Sequence, residues 1–384
     1  MQQRYIQGSI FSFFAGSGLL DLGFEAEGFR TVFVNESHKP FIDAYKYARK
    51  QKPLSDRLFL SSEKPVYSNR SIESLLENTI LDEFQPIFQK EKALYPGRVG
   101  FIGGPPCPDF SVGGKNRGKD GENGRLTATY VDLICKMKPD FFILENVKGL
   151  LRTKKHRAFF DEQLKKLKKS GFKVRYDLLN SLSFEAPQDR HRVIVFGVNS
   201  KSHSNASIIV KNLVWPKVFD DKIVLGMPWP DETEFGENSF LPPPNNVLLH
   251  LTVGHWFQKN DVSKHPNASH HFVPRAALPK FKKVREGDTN KKSYKRPHRW
   301  RYAPTAAYGN NEVHLHPWLA RRMSAAEALA IQSMPKEFSL PPDMTLSNMF
   351  KTIGNGVPYL MGRGVAKGCV LALGNRELEC LVAE

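Results

Sequence analysis

Short apolar runs alternate with amphipathic stretches along the first half of the chain. Each run has the length of one buried strand, and the stretches between carry apolar positions at helical spacing, as in residues 159–169. The predicted strands are residues 10–13, 31–35, 99–102, 141–144 and 193–198. Strands that alternate with helices predict an α/β fold built on a parallel sheet.

The alternation stops near residue 199. Residues 199–318 contain three consecutive prolines, scattered aromatic side chains and a basic stretch, and this composition favours an irregular domain. Helical regularity returns at Ser324, with Glu327 three residues later as in a capping box. The sequence therefore predicts two domains, one of residues 1–198 plus 319–384 and a smaller one of residues 199–318.

Cys107 is the first candidate for chemistry. It follows the predicted strand at residues 99–102 and two prolines that hold the chain extended, and the segment after it, residues 111–124, is rich in glycine. A thiol beside a flexible loop suggests covalent catalysis under a closing lid. Taken alone, the pattern also fits a small buried hydrophobic side chain, the commonest fate of a free cysteine.

Two further segments direct charged side chains to the same crevice. Glu145 ends the predicted strand at residues 141–144, at the carboxyl edge where open α/β sheets build their sites. Arg190 and Arg192 lead into the predicted strand at residues 193–198 and alternate onto one face. These three residues and Cys107 are therefore expected to converge.

A glycine turn follows the first predicted strand. Phe14-Ala15-Gly16-Ser17-Gly18 leads into a helical pattern that begins at Leu19, and a strand, tight turn and helix form a nucleotide-binding corner. Asp21 stands where a dinucleotide fingerprint needs its third glycine, which disfavours a nicotinamide cofactor. Glu36 ends the next predicted strand and suits a ribose diol.

In this order, from Phe11 to about Ala366, the motifs resemble the DNA cytosine-5 methyltransferase family of bacterial restriction-modification systems. The resemblance implies a Rossmann-like S-adenosylmethionine-dependent methyltransferase sheet, with the irregular region as the target-recognition domain. It implies S-adenosyl-L-methionine as cofactor and no metal. It also implies that Cys107 attacks C6 of a flipped-out cytosine while Glu145 acts at N3. Arg192 would reach O2 of the base, and Arg190 would serve the base, a phosphate or the loop.

The resemblance also assigns a cofactor site. Phe14 is expected to stack on adenine, and Glu36 to bind the ribose. The backbone at Gly16 and Gly18 is expected to approach the methionine part, with Leu19 beside it.

The adenine edge departs from the family pattern. Ser71-Ile72 stand where the family carries Asp-Ile, so Ser71 would accept the bond from the adenine amino group more weakly. The segment that returns to complete the pocket resembles residues 353–358. The remaining residues expected in the cofactor site are Ile72, Pro106, Leu126, Asn355 and Val357.

Charge favours a nucleic-acid partner. The formal net charge of +17 and the pI of about 9.6 imply an acidic partner. Residues 275–301 carry eleven Lys or Arg against two acids, with aromatic side chains between them, which favours DNA contact over a merely solvated surface. The predicted DNA-contacting residues are Ser111, Lys115, Arg117, Lys282, Lys283, Arg299 and Arg301.

The cysteines and apolar runs bear on location. The four cysteines show neither a CxxC pair nor metal-ligand spacing, which favours a reducing cytoplasm. No signal peptide opens the chain, and no apolar run approaches the roughly 20 residues of a membrane span. We expect a cytoplasmic, nucleoid-associated bacterial monomer that acts on double-stranded DNA, with a cognate restriction endonuclease for the same site.

Three alternatives remain at this stage. A tRNA cytosine-5 methyltransferase has a similar architecture, but its Cys-Phe-Thr motif is missing, since residues 304–308 contain no cysteine. A non-catalytic DNA-binding relative would keep the fold, although Cys107 and Glu145 are both present. A nicotinamide oxidoreductase is disfavoured by Asp21.

Overall fold

A seven-stranded mixed sheet forms the centre of the computed structural model, which describes residues 6–51, 54, 64–106, 122–291, 293–306, 308 and 314–374. The strand order is β3-β2-β1-β4-β5-β8-β6. Its strands are β1 (Gly8–Phe13), β2 (Phe29–Asn35), β3 (Val66–Ser68), β4 (Val99–Gly103), β5 (Phe141–Val147), β6 (Phe172–Asn180) and β8 (His191–Asn199). A separate two-stranded pair joins β7 (Gln188–Asp189) to β9 (Ala303–Pro304). The predicted α/β fold is confirmed.

One strand departs from the predicted parallel sheet. Strand β8 runs antiparallel to both of its neighbours, β5 and β6. Parallel strands need a long crossover, whereas the chain returns from β6 to β8 over a short connection that suits an antiparallel pair. The start of β8 therefore lies beside the end of β5.

Helices cover both faces of the sheet. They are α1 (Leu19–Ala26), α2 (Lys39–Lys50), α3 (Asn78–Leu94), α4 (Glu122–Met137), α5 (Lys154–Lys169), α6 (Ala206–Lys211), α7 (Asp221–Leu225), α8 (Val253–Lys259), α9 (Leu278–Lys282), α10 (Ala325–Ile331), α11 (Leu346–Asn355) and α12 (Tyr359–Leu373). No helix in the described ranges is both long and apolar enough to cross a bilayer.

The strands are apolar on both faces. Along β5, Phe142 and Leu144 pack into the layer of α3, α4 and α5, whereas Phe141 and Ile143 pack into the layer of α1, α6 and α12. Successive side chains of a strand point to opposite faces, so two covered faces require a continuous apolar run. This is why the sheet strands could be recognised as short apolar runs.

The first domain extends beyond its predicted boundary at residue 198. Ala206, Ile209 and Val210 of α6, with Trp215 after it, pack into the same apolar layer as α12. Gly368 of α12 lies so close that an added Cβ would be 2.6 Å from Trp215. Residues 206–215 therefore pack as part of the helical layer of the sheet, and the irregular region begins after them.

Buried arginines stabilise the irregular region. Arg296 donates to the carbonyl oxygens of Val284, Phe281 and Leu319 at 2.9, 2.7 and 3.2 Å. Arg299 forms a buried ion pair with Glu286 at 2.8 Å. Since buried backbone carbonyls need hydrogen-bond donors, these side chains supply what strands and helices supply elsewhere. Part of the basic stretch therefore serves the fold.

Candidate active site

The expected site residues collect at one edge of the sheet. Parallel strands β1, β2, β4 and β5 end there, and antiparallel β8 begins there. This is the edge at which open α/β sheets bind ligands. The glycine turn follows β1, Glu36 follows β2, and Glu145 lies near the end of β5.

Glu145 and Arg192 form a buried ion pair. Val147 pairs with Arg192 across β5 and β8, and the Arg192 Nε atom lies 2.6 Å from Oε1 of Glu145. Burial raises the pKa of Glu145 above its ordinary value, and the charges of Arg192 and Arg190 oppose that rise. A carboxyl group with a raised pKa is suited to proton donation.

The chain that leads to Cys107 passes directly over Glu145. A Cβ added to Gly104 would lie 2.5 Å from Oε2 of Glu145, so a larger residue here would displace the carboxylate. Gly104 and the two prolines after it connect β4 to Cys107. Cys107 itself lies outside the described residues, as do Ser111, Lys115 and Arg117.

Arg190 is fully buried and bonded to backbone oxygens. Its Nη1 donates to the Ala306 carbonyl at 2.8 Å, and its Nη2 donates to the Gly354 carbonyl at 2.7 Å. Burial and neighbouring Arg192 lower the pKa of Arg190, and Glu145 opposes that shift. Both Nη atoms of Arg190 already donate to carbonyl oxygens. The structure therefore favours a structural role for Arg190 over the expected contact with the base, a phosphate or the loop.

The glycine turn adopts backbone conformations that favour glycine. Gly16 has φ of 56° and Gly18 has φ of 80°. Glu36 stabilises this turn, since its Oε2 accepts from the Gly16 amide at 2.9 Å and its Oε1 accepts from the His38 amide at 2.8 Å. Burial raises the pKa of Glu36, and these two hydrogen bonds oppose the rise.

Arg49 of α2 stabilises the glycine turn through hydrogen bonds that the sequence analysis missed. Its guanidinium donates to the carbonyl oxygens of Ser17 and Gly18 at 3.3 and 3.0 Å, and pairs with Glu25 at 3.1 Å. It also stacks on Tyr45, 3.5 Å from the ring centroid. No pattern in the sequence links α2 to the turn, so only the fold shows this contact.

The returning segment closes the turn from the other side. Thr352 of α11 accepts from the Ser17 amide at 3.2 Å and donates to the Ser17 hydroxyl at 3.0 Å. Leu19 packs so closely on Gly356 that an added Cβ would be 2.4 Å from its Cδ2. Thr352 was missed, although it directly precedes the Ile353-Gly354-Asn355-Gly356 run that suggested this segment.

The remaining expected cofactor residues differ in exposure. Ile72 is buried in the same apolar cluster that Phe14 and Leu126 adjoin. Ser71 is exposed and lies beside Glu73, with its hydroxyl 3.4 Å from that carboxylate. Asn355 is exposed, Val357 is buried, and Pro106 is half-buried.

The residues expected to contact DNA fall into two groups. Lys282 and Lys283 are exposed, and Lys282 forms an ion pair with Glu237 at 3.1 Å. Arg301 is half-buried against the ring of Tyr302. Arg299 is buried, and its donors are taken by Glu286 and Ser239, so the structure does not favour its expected role as a base reader.

Sheet order, glycine turn and buried acid together define a Rossmann-like methyltransferase. Within the described residues, no group of three or more His, Cys, Asp or Glu could hold a metal ion. The chain belongs to the C-5 cytosine-specific DNA methylase family, whose sequence model matches residues 8–370. It is therefore a DNA (cytosine-5) methyltransferase, as the sequence motifs predicted.

Relatives of known class agree with this assignment. The Type II methyltransferase M.NmeDI of Neisseria meningitidis serogroup C is 53% identical over 357 residues, which cover 93% of this chain and 82% of that protein. M.MthTI of Methanothermobacter thermautotrophicus is 28% identical over 369 residues, covering 93% and 96%. The Entamoeba histolytica methyltransferase EhMeth shares the fold, with a TM-score of 0.58, 13% identity and coverage of 97% and 100%.

Proposed function

We propose that this enzyme methylates C5 of cytosine within one specific sequence of duplex DNA, with Cys107 as nucleophile and Glu145 as acid. The buried Glu145–Arg192 pair is the observation that carries the proposal. It sets an acid of raised pKa beside Gly104, from which the chain continues through two prolines to Cys107.

S-adenosyl-L-methionine is the cofactor we assign, and the residues present fit it. Gly16 and Gly18 have the left-handed backbone that brings main-chain groups close to a ligand, and Glu36 offers carboxylate oxygens to a ribose diol. Phe14, half-buried beside them, offers a ring face to adenine. When bound, the cofactor supplies the methyl group.

Cytosine C5 needs activation, which Cys107 provides. The thiolate adds its electron pair to C6, and C5 becomes a nucleophilic carbon. A free thiol has a pKa of about 8.5, so positive surroundings are needed to keep it ionised, and we propose that Arg192 and Arg190 supply them. Once C5 carries the methyl group that the cofactor would supply, loss of the C5 proton to solvent and departure of the Cys107 sulfur restore the aromatic ring.

Glu145 balances the charge that this addition creates. Its proton passes to cytosine N3 as the sulfur bond forms and returns when the bond breaks. We propose that Arg192, held against Glu145, also donates to the O2 atom of the base. Such general acid assistance typically contributes about 10²- to 10⁴-fold in rate.

We propose that the irregular region selects the target DNA sequence. A base inside a stacked duplex cannot be reached by Cys107, so the cytosine must be flipped out. The segment between Cys107 and α4, with Ser111, Lys115 and Arg117, is proposed to close over it. The irregular region between residues 216 and 318 carries exposed Lys282 and Lys283 and half-buried Arg301 for groove and phosphate contacts.

The biological setting is inferred from the relatives. The name of M.NmeDI places that protein among Type II methyltransferases. We propose that this enzyme likewise protects DNA against a cognate restriction endonuclease, acts as a monomer, and works in the cytoplasm at the nucleoid where its substrate lies.

One experiment tests the whole proposal. The gene is expressed in a host that lacks cytosine methylation, and 5-methylcytosine is mapped across genomic DNA and transfer RNA. We expect every copy of one short DNA sequence to be methylated and tRNA to stay unmodified. Methylated tRNA with unmodified DNA would instead establish the tRNA methyltransferase alternative.

A further inference from the structure

The start of β8 is bonded to two distant parts of the chain at once. One is the recognition segment, residues 303–306, which lies in the last part of the irregular region. The other is the returning segment, residues 353–356, which closes the glycine turn. Gln188, Arg190 and Gln332 make these bonds, and each is buried.

Gln188 connects to the recognition segment by both strand pairing and its side chain. Its backbone pairs with Ala303 in the short β7–β9 ladder, and its Oε1 accepts from the Ala306 amide at 2.9 Å. Arg190 adds a bond from Nη1 to the Ala306 carbonyl at 2.8 Å. The recognition segment is thus fixed to the residues that directly precede Arg192.

Gln332 connects the same residues to the returning segment. Its Oε1 accepts from Gln188 Nε2 at 3.2 Å, and its Nε2 donates to the Ile353 carbonyl at 2.5 Å. Arg190 completes the link through Nη2, which donates to the Gly354 carbonyl at 2.7 Å. The bonds in this set are buried, apart from the partly buried bond from Arg190 to Gly354, so a lost partner would leave an unsatisfied polar group.

The set ends two residues before Arg192, the cation that pairs with Glu145. Arg190 and Arg192 share one face of an extended strand, and Arg192 pairs with Glu145. The two Nη atoms of Arg190 are held by backbone oxygens, so its charge stands near Glu145 without forming an ion pair with it. Carbonyl acceptors favour the charged guanidinium.

We propose that Gln188, Arg190 and Gln332 form a positioning unit for the active site. Through this unit, the Arg192–Glu145 pair reaches its working geometry only when the recognition segment and the returning segment are both seated. DNA recognition and cofactor closure are thereby coupled to the chemical step. The inference rests on the proposed role of Glu145, and it assigns positioning rather than contact with substrate to all three residues.

The first test removes hydrogen bonds of the unit at a residue to which we assign no contact with substrate. Gln332→Met keeps a side chain of similar size but removes the bonds to Gln188 and Ile353. Misplacement of catalytic groups by about 1 Å costs on the order of 10²-fold, so we expect kcat to fall by about 10- to 100-fold with KM for DNA and cofactor nearly unchanged. Gln188→Met serves as a second variant if Gln332→Met does not fold.

Gln163→Leu is the matched control. Gln163 is a buried glutamine of α5, so its replacement removes a buried amide without touching the unit. We expect this variant to keep wild-type kcat and stability, because the Gln163 Oε1 atom is buried without a hydrogen-bond partner among the described residues. If Gln332→Met and Gln188→Met also keep wild-type kcat, the positioning unit does not exist.

The pH dependence separates positioning from simple structural damage. Glu145 is faced by Arg192 and Arg190, and Arg190 by Arg192, Glu145 and Tyr308. Arg190→Gln removes one of the charges that oppose the raised pKa of Glu145, so the alkaline limb of kcat should move to higher pH. Arg190→Lys keeps the charge, so the alkaline limb should stay at the wild-type pH although kcat falls. Identical pH profiles for both variants would contradict the proposal.

A double variant tests whether the residues act together. Residues of one unit are not additive, so Arg190→Gln with Gln332→Met should be no slower than Arg190→Gln alone. Multiplicative losses would overturn the unit. Glu145→Gln, measured in parallel, separates the two proposals: a fast Glu145→Gln enzyme refutes the role of Glu145, whereas a slow one with normal Gln332→Met refutes the unit alone.

Discussion

The Nε atom of Arg192 lies 2.6 Å from Oε1 of Glu145, although 46 positions of sequence separate the two residues. The contact exists because β8 runs antiparallel to β5, so its first residues meet the last residues of β5. A parallel β8 would place Arg192 at the opposite edge of the sheet. The direction of one strand therefore assembles the acid and its cation.

Cys107 is predicted to be the only cysteine needed for chemistry. Cys107→Ala should abolish methyl transfer while duplex binding survives, and duplex DNA with 5-fluorocytosine at the target should trap the wild-type enzyme covalently, because fluorine cannot leave as a proton does. Cys369→Ala is the control, since burial raises the pKa of that thiol and keeps it unreactive. An active Cys107→Ala enzyme would exclude the covalent mechanism.

Glu145→Gln should slow methylation by about two to four orders of magnitude, because the shape is kept and proton donation is lost. Cofactor affinity, measured by calorimetry, should not change. Wild-type kcat should fall as the pH rises through the raised pKa of Glu145, since the deprotonated carboxylate cannot donate. This alkaline limb should be absent in the variant, and a limb that persists would assign it to another group.

Gly18→Ala should weaken cofactor binding. An added Cβ would lie 2.4 Å from the Tyr45 ring and 2.5 Å from Arg49 Nη1, so the turn must shift. Gly171→Ala is the control, because its φ of 94° carries the same backbone penalty with nothing within 4 Å. Both variants should lose about 1–2 kcal/mol of stability. Only Gly18→Ala should lose affinity for S-adenosylmethionine, and equal affinities would contradict the assigned cofactor turn.

The exposed and the buried cations of the basic stretch should differ in their effects. Lys282→Gln with Lys283→Gln should weaken binding to all duplexes alike, and each lost phosphate contact should reduce the salt slope by roughly one unit. Arg299→Gln should instead destabilise the fold by about 3–5 kcal/mol, because Glu286 is left buried without its partner. A stable Arg299→Gln enzyme with altered sequence preference would show that Arg299 reads the base.

Acid should destabilise the region around His316. Burial lowers the pKa of this ring to about 3, against 6.5 for an ordinary histidine. Below pH 6.5 the unfolded chain binds a proton that the folded chain does not, so stability falls towards pH 3. His316→Asn keeps an acceptor for the Trp318 and Leu319 amides and should reduce this slope by about 1.4 kcal/mol per pH unit.

That prediction is checked by denaturant unfolding at several values of pH. At pH 8 the free energies of unfolding of the two proteins should differ only by the packing cost of the substitution. Equal slopes for the wild-type protein and His316→Asn on the acid side would show that another group takes up the proton.

The sequence by itself determined the elements and the chemistry they carry. Continuous apolar runs indicated the central strands, which are covered on both faces. The glycines of the tight turn indicated Gly16 and Gly18, whose backbone is left-handed. The order of the motifs gave the family, which the comparisons confirm. These features are local, because strand periodicity and turn conformation depend on residues close together in the chain.

Only the tertiary structure decided which charges act and which support the fold. Arg190 and Arg192 are two residues apart and look alike in sequence, yet Arg190 donates to the carbonyls of distant segments, whereas Arg192 pairs with Glu145 and donates to the adjacent His191 carbonyl. Likewise Arg299 and Lys283 share one basic stretch, and burial separates them. Burial and strand direction arise from contacts between distant segments, and no local pattern records them.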